Sequence, residues 1–151
     1  MKNSVVTVAI LFNLTINACQ PRQETTGQEA ADTPAELLIN LTSDATVDPH
    51  SSLMGLHLGQ NALANDVPVT VFLNVHGVKL MASEADTISF RDENLHTVLQ
   101  SIMADGGQVI ACPHCMEAHA IQEGDVLKGV TIARDTSMMT QIKRNPTVFT
   151  Y

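Results

Sequence analysis

Residues 68–75, PVTVFLNV, restrict this chain's fold more than any other segment. The run is rich in β-branched residues and almost continuously apolar. A strand with one wet face would alternate apolar and polar side chains, and this one does not. A continuous run of this kind suits a parallel sheet covered on both faces. Residues 36–42 (ELLINLT) and 108–111 (QVIA) read as further buried strands, and 129–133 and 147–151 as two more. Helical patterns separate them. Residues 51–65 carry apolar side chains on more than one face, with Ser51 or Ser52 as the expected cap. Residues 92–105 place Leu95, Val98, Leu99, Ile102 and Met103 at i, i+3, i+4, i+7 and i+8, a single apolar stripe, and Gly106-Gly107 ends it. A short helix is expected over 135–143, and a less regular connection over 76–91. Strand and helix alternate throughout, which predicts an α/β fold with a mostly parallel sheet of about five strands. Ligands in such sheets collect beyond the carboxyl ends of the strands. Four loops are expected there: 43–50, 76–79, 112–115 and the turn at Arg134.

Composition narrows the function. The chain has 151 residues with 16 Asp+Glu against 8 Lys+Arg, a net charge of −8. It has no basic stripe to neutralise phosphates, so no nucleic-acid partner is expected. There is no G-x-G-x-x-G, P-loop or G-x-S-x-G segment to hold a nucleotide or seat a hydrolase serine. No cofactor is expected. Most acidic residues are scattered and read as solvated surface. Three cysteines are too few for a disulfide framework, and their odd number asks for a division of roles.

The first cysteine follows a segment that reads as an export signal. Lys2 precedes an apolar run from Val5 to Leu14, shorter than the ~20 apolar residues needed to span a bilayer. Ile16-Asn17-Ala18-Cys19 resembles a bacterial lipobox, which implies cleavage after residue 18 and a lipid on Cys19. Loss of Lys2 would take the charge to −9. Residues 19–35 are small and polar and read as a flexible tether, leaving a domain over 36–151. Localisation is expected to be periplasmic and membrane-anchored through that lipid. Gln20 stands where an aspartate would mark inner-membrane retention, which points to the outer membrane.

The second and third cysteines lie at a strand-to-helix junction, VIACPHCMEAHAI. Pro113 fits the first helical position, where its missing N–H costs nothing. Cys112 then sits at or near the N-cap and Cys115 one turn on. Unpaired backbone N–H groups and the helix dipole favour an anion there, hence the thiolate of Cys112. A thiolate is the nucleophile for disulfide, persulfide or sulfenate chemistry, and a second thiol at i+3 can resolve each product. A purely structural Cys112–Cys115 bridge would close so short a loop that its stabilisation would be small. The pair could also be two buried inert thiols or a pair of metal ligands.

The stretch 107–133 looks like the DsrE/TusD sulfur-relay family, on VIACPHCMEAHAI, Asp125-Val126-Leu127 and Gly129-Val130-Thr131-Ile132. The segment Val71-Phe72-Leu73-Asn74-Val75-His76-Gly77-Val78 resembles that family's second strand and its following glycine loop. The resemblance implies a three-layer α/β/α domain, assembly into trimers or hexamers, and a persulfide on Cys112, resolved by Cys115. The sulfur donor, acceptor or thiol reductant is not named by it. Two features depart from the family pattern: His119-Ala120 replaces an Arg-Gly pair, and relay members work in the cytoplasm.

Two rival chemistries share the cysteine pair. Cys112, Cys115, Met116 and His119 are candidate soft ligands for Cu(I) in the envelope, although Met116, adjacent to Cys115, points about 100° away and is expected in the core. A general thiol–disulfide oxidoreductase would use the same thiols, although here the motif follows the third strand and not the first or second. His50, His76 or His114 can hold the Cys112 thiolate as an ion pair. His57 reads as partly buried and His96 as solvated.

Overall fold

The computed structural model describes residues 35–134 and 136–151. The expected signal segment (1–18), Cys19 and the expected tether up to residue 34 lie outside the described residues.

The elements run β1 (Leu37–Leu41), α1 (Pro49–Leu63), β2 (Val69–Leu73), 3-10 turns at Gly77–Met81 and Ser83–Thr87, β3 (Ser89–Phe90) and β4 (Glu93–Asn94). They continue α2 (Leu95–Ala104), β5 (Gln108–Ala111), α3 (Pro113–Ala118), a 3-10 turn at Glu123–Asp125, β6 (Thr131–Ile132), α4 (Ser137–Lys143) and β7 (Thr147–Thr150). Five strands form one parallel sheet in the order β6-β5-β2-β1-β7. β3 and β4 make a separate antiparallel ribbon.

The chain steps β1→β2→β5→β6 in one direction. Right-handed crossovers therefore place α1 and α2 on the same face, where they pack against each other. The last crossover runs back over three strands, and α4 takes the other face. Register partners Thr70 and Gln108 both point to it: Gln141 of α4 accepts from the Thr70 hydroxyl at 3.2 Å and donates to Gln108 Oε1 at 3.0 Å. The main core fills the α1/α2 face. Ile39, Leu41, Val71 and Leu73 from the sheet meet Leu53, Leu56, Leu95, Leu99 and Ile102, all essentially buried.

Local chemistry sets the helix starts. Asp48, not Ser51 or Ser52, caps α1: its carboxylate accepts from the Ser51 N–H at 2.9 Å, and Pro49 takes the first helical position. Ser51 instead shares a hydrogen bond with Ser43, and Ser52 is buried. Asn94 caps α2 by accepting from the Thr97 N–H at 2.8 Å, so the helix begins three residues later than its apolar pattern suggests. The connection 76–91 is more ordered than expected, because Val78, Leu80 and Met81 are fully buried on 3-10 turns. Among the described residues, no helix is long and apolar enough to cross a membrane.

Candidate functional site

The parallel sheet delivers β2 and β5 side by side, so the ends of both strands meet. The Cys112 N–H still donates to Leu73 O at 3.0 Å, and the chain then turns through Pro113 into α3. Cys112 Sγ caps this helix by accepting from the Cys115 N–H at 3.4 Å. The Cys115 thiol lies 2.7 Å from Cys112 Sγ as donor. Both thiols are free and half-buried. The strand-to-helix junction thus places the two sulfurs together, with Cys112 as acceptor from both groups of Cys115.

Cys115 is held from its other side by the end of β2. Its thiol lies 3.2 Å from Asn74 Oδ1, and the Val75 N–H donates to its Sγ, also at 3.2 Å. One S–H proton cannot serve both Asn74 and Cys112. The two acceptors compete for it, and negative charge on Cys112 would draw it there. Burial pushes the Cys115 thiol up. Its hydrogen bond to Cys112 and the charge developing there push it further, and the Val75 N–H offsets this only in part. Cys115 therefore keeps its proton to higher pH than an ordinary thiol.

The Val75 N–H reaches Cys115 because Val75 adopts φ +50°, in the left-handed region that a β-branched residue avoids. The conformation costs of order 1–3 kcal/mol. The side chain is 46% exposed, so packing does not require a valine there. Val75→Gly is expected to raise stability by up to about 1 kcal/mol, because relief of the strain outweighs the larger entropy that glycine loses on folding. Urea denaturation of the two proteins measures it.

The loop continues into His76 and Gly77. His76 Nδ1 lies 3.2 Å from Nε2 of His119, the residue that closes α3. His76 thus meets a second imidazole. His114 is exposed on α3. His50 stacks on Phe90, 4.6 Å between ring centres. His57 pairs with Glu93 at 2.7 Å. His96, expected in solvent, is half-buried with its Nε2 enclosed and unpartnered. Arg134 reaches out to Glu123 at 2.8 Å.

Met116 leaves the copper ligand set, as its place next to Cys115 on the helix implies: it is 4% exposed and packs in the main core. Adjacent helical residues diverge by about 100°, so a helix that presents Cys115 to Cys112 turns Met116 inward. Among the described residues, no three His, Cys, Asp or Glu side chains form a group arranged to hold a metal ion.

The loops after β1 and β2 are joined by Asp44 and Lys79, whose charged groups are 2.5 Å apart. Burial alone would raise the Asp44 carboxyl. Hydrogen bonds from Lys79 and Thr46, with the Lys79 charge, outweigh that and hold it at about 2, below the usual 3.8. A carboxyl lowered by folding stabilises the protein above its unfolded value and loses that contribution as pH falls through the folded one. Asp44→Asn is expected to lower stability at neutral pH and to flatten the acid loss between about pH 4 and pH 2. Denaturation at several pH values reads both effects.

Asn74 and Val75 were not legible as site residues in the sequence. The one available signal is Asn74 itself, a polar side chain closing an otherwise apolar strand.

A family model described as the DsrE/DsrF-like family matches residues 37–151. Among solved structures, the chain is similar to a protein of unknown function from Methanobacterium thermoautotrophicum, MTH1491. The TM-score is 0.61 at 16% identity, over 78% of this chain and 99% of that one. It is also similar to the ychN protein from E. coli, with TM-score 0.58, 16% identity and the same coverages. These likenesses concern the fold. No curated protein matches the chain.

Proposed function

From the premise that this chain belongs to the DsrE/DsrF-like family, which is associated with sulfur relay, we propose that it carries sulfane sulfur as a persulfide on Cys112 and discharges it with Cys115. The carrying observation is the asymmetry of the thiol pair. Cys112 Sγ accepts from the Cys115 N–H and lies 2.7 Å from its thiol, while the Cys115 sulfur accepts from the Val75 N–H and retains a proton for which Cys112 and Asn74 compete. The Cys112 thiolate attacks the sulfane sulfur of a donor, the donor's bond to that sulfur breaks with the electron pair leaving on the donor remnant, and Cys112–S–SH forms. The sulfur of Cys115 then attacks the Cys112 sulfur. A Cys112–Cys115 disulfide forms, and the outer sulfur leaves as sulfide, taking the persulfide and thiol protons to give hydrogen sulfide. The dithiol is oxidised by two electrons and the sulfane sulfur is reduced by two.

Sulfide release from reduced protein given one equivalent of polysulfide tests the reading. One equivalent of sulfide with loss of both free thiols is expected. A protein that keeps both thiols and gains no sulfur contradicts it.

We place this chemistry in the cell envelope, with Cys19 as the lipid anchor. The apolar run before Cys19 and the lipobox-like Ile16-Asn17-Ala18 support that placement. Cys19→Ser is expected to move the protein from the membrane to the soluble fraction. We further infer assembly with copies of itself. Met139, Ile142, Val148 and Phe149 are each 46–56% exposed, and β7 is an edge strand with one unpaired side.

A further inference from the structure

A cleft of about 330 Å³ includes His119, the residue that closes α3, in its lining. Ala85, Ile88 and Ile121 supply apolar wall, and Lys79, Thr87 and His119 supply polar groups. His119 lies one helical turn after Cys115. Its backbone N–H bonds Cys115 O at 3.1 Å, and its ring meets His76, the residue after the valine that holds Cys115. A second cleft of about 430 Å³ is lined by Gly107 and Gln108, at the amino end of β5, whereas Cys112 follows the carboxyl end.

The first cleft has the size of a site for a small organic molecule, at the lower end of the usual range of roughly 300–1,000 Å³. Its one lysine is fixed. Asp44 takes one N–H of the Lys79 ammonium, leaving two free, and the other Asp44 oxygen is occupied by the hydroxyl and N–H of Thr46. The cleft therefore offers a positioned ammonium, ion-paired to Asp44 but with two N–H groups left to donate, beside a short apolar wall.

We propose that this cleft binds the organic part of the sulfur donor, a small persulfide bearing a carboxylate. This rests on the reading of Cys112 as the sulfur carrier. The carboxylate meets Lys79, the carbon chain lies along Ala85, Ile88 and Ile121, and the persulfide passes His119 toward Cys112. The Cys112 thiolate forms a bond to the outer sulfur of R–S–SH, and the S–S bond of the donor breaks. Cys112–S–SH results. R–S⁻ leaves with the electron pair of the broken bond and takes a proton from solvent.

The test compares three donors on full-length protein: mercaptopropionate persulfide, mercaptoethanol persulfide, which has no carboxylate, and inorganic polysulfide, which has no organic body. Thr87 is exposed on the cleft wall, so Thr87→Phe fills the cleft without touching the thiols. It is expected to slow persulfide formation from mercaptopropionate persulfide by about tenfold, equivalent to roughly 1.4 kcal/mol, and to leave the polysulfide rate unchanged. Lys79→Gln is expected to erase the preference for mercaptopropionate persulfide over mercaptoethanol persulfide. Equal slowing of all donors in both variants, or no change in either, overturns the cleft assignment and leaves the carrier reading standing. A wild-type protein that takes sulfur from none of the three overturns the carrier reading and the cleft with it.

Discussion

Cys112→Ser is expected to reduce sulfur uptake from polysulfide by at least about 100-fold, because a serine hydroxyl is not ionised where a thiol is and no adjacent base activates it. Cys115→Ser is expected to do something different. Uptake continues, but sulfide release falls to background and the persulfide persists on Cys112. The contrast follows from the geometry. Cys112 Sγ faces the N–H and the thiol of Cys115, so the sulfur at the helix start is the one that hydrogen-bond donors surround. Cys115 is raised by burial and kept protonated beside Asn74, which suits a thiol that acts second. If the two serine variants lose uptake equally, the division of roles is wrong. Sulfide release in the wild type should also climb as pH rises past the ordinary thiol range, because Cys115 must ionise to attack.

Gly77→Ala is expected to cost about 3 kcal/mol or more in folding stability. A Cβ at this position would lie 2.1 Å from Leu41 O and 2.8 Å from Leu41 C. Both are backbone atoms of β1, which is held between β2 and β7 and cannot retreat. The loop must move instead. Gly77 donates to Asn74 O at 2.8 Å, and Asn74 donates to Leu41 O at 2.9 Å, so displacement of Gly77 disturbs the two residues that grip Cys115. Sulfide release is expected to fall along with stability. Gly124→Ala is the control. No atom lies within 4 Å of the point its Cβ would occupy, and the expected change is within about 0.5 kcal/mol. A Gly77→Ala protein as stable as that control would show that the loop does not depend on the close approach to β1.

The extent of the fold that sequence alone reveals follows from how local each determinant is. QVIA is read to the residue as β5, because a short apolar run bounded by glycines and by Cys-Pro has few other readings. The alternation of strand and helix leads directly to the parallel five-stranded sheet. Helix starts are less legible where several caps compete. Asp48, Ser51 and Ser52 all qualify, and Pro49 at the first helical position decides for Asp48. The 3-10 turns at 77–87 bury Val78, Leu80 and Met81 with neither helical nor strand periodicity, so no pattern announces them. The cysteine pair is legible because its spacing lies within one helical turn. Asn74 and Val75 are not, since they reach Cys115 across about 40 residues of sequence. A valine in the left-handed region also runs against its own backbone preference. Met116 is legible for the same local reason as the cysteine pair: adjacent to Cys115 on the helix, it turns about 100° away, into the core.

The most direct test of the central claim is an intact-mass time course on reduced full-length protein after addition of one equivalent of polysulfide, with peptide mapping at each point. The expected course is a transient gain of one sulfur atom located on Cys112. It is followed by a final mass two hydrogens below the starting value and a peptide joined through Cys112 and Cys115. A sulfur that settles on Cys115, or a disulfide that forms with no sulfur adduct before it, would contradict the account.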